Sequence, residues 1–223
     1  MFYFTRATWN THAPTFREPL RRPVRQAYIH HSGGAGPPLT GPAEQDWMRR
    51  TQRYHIEGRG WSDIGYNHVI MPSGHVYEGR GWEVQGAHTE GRNSRSIGVC
   101  FAGNFELGEP TPAALASARE LLRLGVAAGH LTNDYTLAGH RDTKATTCPG
   151  RYLYSEIGTL KETPTMSPPA SPPLIQVNAP VVGITASHDA NGNIKGYIIV
   201  CADGGVFTFG EGTPYLGRVE HRG

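Results

Sequence analysis

Cysteine is scarce: 223 residues hold three, Cys100, Cys148 and Cys201, far apart in the chain. An odd, sparse set excludes a disulfide framework, so each thiol needs its own explanation. No apolar run approaches the ~20 residues that a membrane-spanning helix requires, and no membrane partner is expected. An excess of one charge is also missing, since 21 Lys and Arg oppose 19 Asp and Glu for a net charge of +2. That balance gives little steering toward an anionic surface and argues against a nucleic-acid partner. The short basic cluster Arg21, Arg22 and Arg25 reads as a solvated face. The opening MFYFTRATWNTHAP has neither a basic n-region nor an apolar h-region. No signal peptide is therefore expected, and the chain should stay in a cytoplasm until another factor releases it.

What is present suits a globular chain, with 38% hydrophobic and 18% charged residues. The length allows one full domain and a small appendage. Between them lies ETPTMSPPASPPL, residues 162–174, in which five of thirteen residues are proline. Such a stretch favours extended polyproline II and acts as a semi-rigid spacer. The expected organisation is a main domain at 1–161, a linker at 162–174 and an appendage at 175–223.

Within the main domain, Gln26–His31 reads as a strand broken by Ser32-Gly33-Gly34. Residues 42–57 suggest a helix with Trp47 and Tyr54 on one face. Asn67–Met71 and His75–Glu78 suggest two strands joined through Pro72-Ser73-Gly74, and Ser96–Ala102 a further, mostly apolar one. Cys100 within it is most simply a small buried hydrophobe. A second helix should start at the cap Thr111 with Pro112 in its first turn, run along Leu115, Ala118, Leu122 and Val126, and stop at Gly129. A last helix is expected over 152–161. Strands interleaved with helices predict an α/β domain, a mixed β-sheet flanked by helices in three layers.

The motif richest in chemistry is GHRDTKATTCPG, residues 139–150. Its His140 and Cys148 are both of zinc-ligand type. A third ligand must come from elsewhere, and the end of the first strand offers His30 or His31. Side chains alternate across a strand, so only one of that pair can face the metal. Taken singly, each of these residues is more often structural than ligating.

A wider pattern bears on the choice. TRATW (5–9), YIHHSGG (28–34), GWSDIGYNHVI (60–70), VYEGRGWEVQGAHT (76–89), NSRSIGVCFAGNF (93–105) and GHRDTKATTCPG follow in order. Over roughly Thr5 to Tyr154 the chain resembles the peptidoglycan recognition protein family and, more distantly, the amidase-type phage endolysins. The resemblance implies a zinc-dependent N-acetylmuramoyl-L-alanine amidase acting on bacterial peptidoglycan, with a phage enzyme of host lysis as the expected setting. It would wait in the host cytoplasm and act at the cell wall.

By the same resemblance, His30, His140 and Cys148 are the zinc ligands, which leaves one position open for water. Zinc can bring the pKa of such a water to about 7, giving a nucleophile for the amide between the lactyl group and the first alanine of the stem. Tyr66 matches the family's catalytic tyrosine, Thr146 a second catalytic position and His88 a substrate-groove position. Non-catalytic members lack the cysteine, so Cys148 favours an enzyme over a binding receptor on the same fold.

The appendage reads as strand, Asn-Gly turn, strand, Asp-Gly-Gly turn, strand. It resembles one copy of a repeat found in tandem in actinobacterial surface proteins. Attachment to the wall or homo-oligomerisation through this module is the expectation.

Overall fold

The computed structural model describes residues 1–161 apart from 11, 39 and 40, together with the backbone of three strands within 181–210. The chain divides into two compact units, Met1–Pro164 and Thr165–Gly223. The expected linker lies outside the described residues.

The first unit is built on a six-stranded mixed sheet. Its strands are β1 (Tyr3–Phe4), β2 (Val24–His31), β3 (His68–Ile70), β4 (Val76–Glu78), β5 (Ser96–Phe101) and β6 (Leu131–Gly139). They lie side by side in the order β1-β4-β3-β5-β2-β6. Only β3 and β4 pair antiparallel, as the hairpin signal at Pro72-Ser73-Gly74 implies. Three helices flank the sheet: α1 (Gly41–Arg53), α2 (Pro112–Ala127) and α3 (Arg151–Glu156).

Alternation along the strands divides the core in two. Ala27, Ile29, Ile97, Val99 and Phe101 pack with Ala118, Leu121 and Leu122 of α2 and Leu153 of α3. Val69, Tyr77 and Cys100 pack with Trp47 and Met48 of α1, and with Trp9 and Ile64. Cys100 is fully buried, as its apolar surroundings in the sequence suggest. The expected three-layer α/β architecture is present.

Helices α2 and α1 are fixed by identifiable contacts. At the start of α2, Thr111 Oγ1 accepts the Ala114 N–H at 3.1 Å and donates to the Pro72 carbonyl at 2.6 Å. In α1, Glu44 is fully buried yet satisfied by Ser73, His75 and Tyr77 at 2.5, 2.7 and 3.1 Å. Burial alone would raise its pKa, but these hydrogen bonds outweigh burial and hold the carboxyl below its usual value.

Three expectations are corrected. α1 ends at Arg53 and continues as one wider turn, Tyr54–Gly58, with π-type hydrogen bonding. Trp47 and Tyr54 still line one cavity, as expected of a shared face, while Tyr54 is 58% exposed and His55, next in the turn, is buried. The last helix is shorter than expected: α3 tightens into a 3-10 turn at Ile157–Leu160. Two strands, β1 and β6, have no counterpart among the expected elements. β6 is an edge strand whose Thr132, Asn133 and Asp134 dilute the apolar alternation.

In the second unit, β7 (Val181–His188), β8 (Ile194–Cys201) and β9 (Val206–Gly210) form an antiparallel meander in that order. These are the three strands expected there, while the intervening turns lie outside the described residues. No helix among the described residues is long and apolar enough to cross a membrane.

Replacing Thr111 with alanine removes both the α2 cap and the tie to Pro72. Stability should fall by about 1–2 kcal/mol, read as a lower denaturant midpoint. An unchanged midpoint would show that the cap contributes nothing.

Candidate active site

β2 lies between β5 and β6 with parallel pairing to both. Its carboxyl end therefore meets theirs, where ligands of open α/β sheets commonly bind. His30 aligns with Cys100, on the α1 face of the sheet. Beside it, β6 ends at Gly139 and passes directly into a short 3-10 turn, His140–Asp142. The rings of His30 and His140 lie 4.6 Å apart between centroids.

The loop that follows brings Cys148 back to the same place. Arg141 N–H donates to the Cys148 carbonyl at 3.0 Å, and Cys148 N–H donates to Thr146 Oγ1 at 3.2 Å. Asp142 ties Gly139 N–H at 2.7 Å and the Tyr154 hydroxyl at 2.6 Å. Gly150 closes the loop with φ +90°, and a Cβ there would lie 2.3 Å from the Phe105 carbonyl carbon, so only glycine fits. Cys148 Sγ accepts the His31 N–H at 3.4 Å and lies 3.6 Å from His30 Nδ1.

One donor atom each from His30, His140 and Cys148 falls within a single 4.8 Å span. Two imidazoles and a thiol make a donor set well suited to zinc. The buried His140 Nε2 has no hydrogen-bond partner among the described residues. The other histidine of the pair faces away: His31 Nδ1 accepts the Phe105 N–H at 3.2 Å, and its ring packs near the Phe105 ring.

The electrostatics are those of a buried, proton-poor pocket. Burial first, and then repulsion from His88, His140 and His31, holds His30 well below its usual pKa. Burial pushes the Cys148 thiol up to about 11, despite the His31 N–H and Arg141. A thiolate therefore forms here readily only with a cation beside it.

Tyr66 is partly buried, with its ring 5.7 Å from that of His30 and 5.6 Å from that of His55. Burial, helped by the two nearby cysteines, raises its pKa well above the ordinary phenol value, so the hydroxyl keeps its proton. It lines a cavity of about 270 Å³ together with Ser32, Trp47, Arg50, Thr51 and His55. A second cavity of about 440 Å³ lies elsewhere, between α2, β6 and Leu160. The groups around it are already engaged, Arg123 with Glu120 and Lys161 with the Tyr135 carbonyl.

The remaining expected site residues lie against the cluster. Thr146 supports the backbone of Cys148. His88, matched to a groove position, is only 6% exposed and sits behind His30. Sequence reasoning did not single out His55, Thr89 or Asn93. Only the last two carried a visible signal, as polar residues beside a motif histidine.

Fold and donor set define the class: an α/β domain with a metal-type pocket at the carboxyl ends of its parallel strands. Residues 20–151 match the family model described as N-acetylmuramoyl-L-alanine amidase. Peptidoglycan-recognition protein SC2 of Drosophila melanogaster is 39% identical over 155 residues, covering 70% of this chain and 84% of that one. The N-acetylmuramoyl-L-alanine amidase of Homo sapiens is 45% identical over 142 residues, covering 63% of this chain but 25% of its own length. A crystal structure of peptidoglycan recognition protein-LE with tracheal cytotoxin, a monomeric diaminopimelic acid-type peptidoglycan, superposes with TM-score 0.68. The two are 40% identical, over 70% of this chain and 92% of that one. The chain belongs to the N-acetylmuramoyl-L-alanine amidase family, among the peptidoglycan recognition proteins and their amidase relatives.

Burial also sets a pH dependence. The folded-state pKa falls to about 4 for His55 and about 3 for His68 and His88, with burial the leading cause in each. In the unfolded chain these imidazoles take protons below about pH 6.5. Between those limits the unfolded state binds more protons, so stability is full above about pH 6.5 and is lost as pH falls. The denaturant midpoint should be lower at pH 5 than at pH 7.5, and equal midpoints would contradict burial of neutral rings.

Proposed function

We propose that the chain hydrolyses the amide bond between N-acetylmuramic acid and L-alanine of bacterial peptidoglycan, with zinc held by His30, His140 and Cys148. The observation that carries this is the convergence of the three donors within 4.8 Å. Zinc, when bound, supplies Lewis acidity and an activated water for attack on the amide carbonyl. The protein does the rest. Neutral His30 and His140 present lone pairs. Tyr66, kept protonated by burial, donates a hydrogen bond to the oxygen that gains charge as the carbonyl is attacked. Thr146 holds the Cys148 loop and has its own hydroxyl proton to offer the same oxygen. The cavity beside Tyr66, walled by α1 and Ser32, takes part of the glycan or stem.

A binding-only receptor on this fold is the competing reading, and the complex of recognition protein-LE with tracheal cytotoxin speaks for it. The two differ in a stoichiometric metal assay combined with release of free stem peptide from purified peptidoglycan. We expect one zinc per chain and peptide release. His30→Ala, His140→Ala and Cys148→Ala should abolish release, while His31→Ala should keep its metal because its ring faces Phe105. Tyr66→Phe should keep fold and zinc and lose about 100-fold or more in turnover. Peptide release from the His140→Ala protein at the wild-type rate would sink the assignment, and undiminished turnover in Tyr66→Phe would reduce that residue to packing.

For the β7–β9 meander we propose retention of the enzyme at the wall, in a phage enzyme freed from its host's cytoplasm. A unit of roughly 50 residues is marginal alone and invites docking on another surface. A chain ending at Lys161 should cleave soluble muropeptides normally and clear intact walls less well. Equal wall clearance would refute retention, and a change in solution mass alone would make the meander an oligomerisation element.

A further inference from the structure

Behind the ligand cluster lies an arrangement that the proposed reaction does not use. Gly98 pairs with Tyr28 two residues before His30 and shares the α1 face of the sheet with them. Lacking a side chain, it leaves a slot, and the imidazole of His88 fills it. A Cβ on Gly98 would lie 2.3 Å from His88 Cγ, and one on Gly86 would lie 2.4 Å from His88 Cδ2. The ring is thus held between two glycines. Its backbone is held too, since Asn93 Oδ1 accepts the N–H of His88 at 3.0 Å and of Thr89 at 2.8 Å.

So placed, His88 Nδ1 lies 3.1 Å from His30 Nε2. Thr89 Oγ1 lies 3.3 Å from the same nitrogen and 3.0 Å from His88 Nδ1. A neutral imidazole carries one proton, and which nitrogen holds it depends on the partner of the other. For His30 to offer its Nδ1 lone pair toward Cys148 and His140, the proton must sit on Nε2. Both groups facing Nε2 can accept that proton in a hydrogen bond. With 6% exposure, His88 has little surface left for a substrate.

We propose that His88, seconded by Thr89, is a positioning residue that locks the tautomer and ring orientation of His30, rather than a wall of the substrate groove. This rests on the zinc reading of the site. Outer partners of this kind fix a ligand imidazole and raise its basicity, and their loss typically costs 10–100-fold in metal affinity.

The test uses the full chain. Zinc affinity is measured by competition with a chromophoric chelator for wild type, His88→Gln, His88→Leu and Thr89→Val. The His30 tautomer is read from imidazole nitrogen shifts of the metal-free proteins. His88→Leu fills the slot without an acceptor and should weaken zinc roughly 10–100-fold. His88→Gln, whose amide oxygen can take the same hydrogen, should recover most of that loss, and Thr89→Val should fall between wild type and His88→Leu. Metal-free wild type should show His30 protonated on Nε2, and His88→Leu a mixture. Wild-type affinity in His88→Leu, or no difference between Leu and Gln, overturns the proposal. If wild type binds no zinc, the metal reading fails by itself, and an unaltered His30 tautomer in His88→Leu would then overturn the role of His88 as well. Should His88→Leu not fold, Thr89→Val and His88→Gln carry the same comparison.

Discussion

The site depends on the parallel pairing of β2 with a strand on either side. That pairing alone brings His30 level with Cys100 and next to the end of β6, from which His140 follows. A slip of one residue would exchange the two faces, turning His30 toward α2 and His31 toward α1. The register is protected from the α2 side. Ala27 and Ile29 are committed to the α2 core, and the His31 ring already takes the Phe105 N–H. The hydrophobic pattern of one strand therefore also decides which histidine can serve as a ligand.

The same burial that fixes the register makes the pocket hostile to isolated charge. Neutral imidazoles are favoured and a lone thiolate is not. A divalent cation reverses that balance, because it needs neutral nitrogen and anionic sulfur at once. Tyr66 is affected in a simpler way: it keeps its proton and so stays able to donate.

Legibility in the sequence followed locality. Helix α2 was readable because Thr111, Pro112 and Gly129 are cap and stop signals that act within one turn. The donor cluster was readable because His140 and Cys148 share one short motif, while the choice of His30 over His31 needed the family resemblance. The wider turn at Tyr54–Gly58 was not readable, because Trp47 and Tyr54 keep the spacing of an unbroken helix up to its start. Strand β6 was missed because an edge strand tolerates polar residues such as Asn133 and Asp134 that erase alternation. The setting of His88 was hidden for another reason. Its slot is made by Gly98 and Gly86, and an absent side chain leaves no mark in a hydrophobicity pattern.

That slot also constrains how the protein can change. Two glycines and one imidazole fill a single volume, so no member can be exchanged for a larger residue without a matching loss elsewhere. Enlarging either glycine alone would look forbidden, although a smaller residue at 88 joined to a larger one at 98 could refill the space. Paths that enlarge a glycine should therefore cross this region only by paired steps, and neighbours in the fold, not in the chain, set the order of those steps.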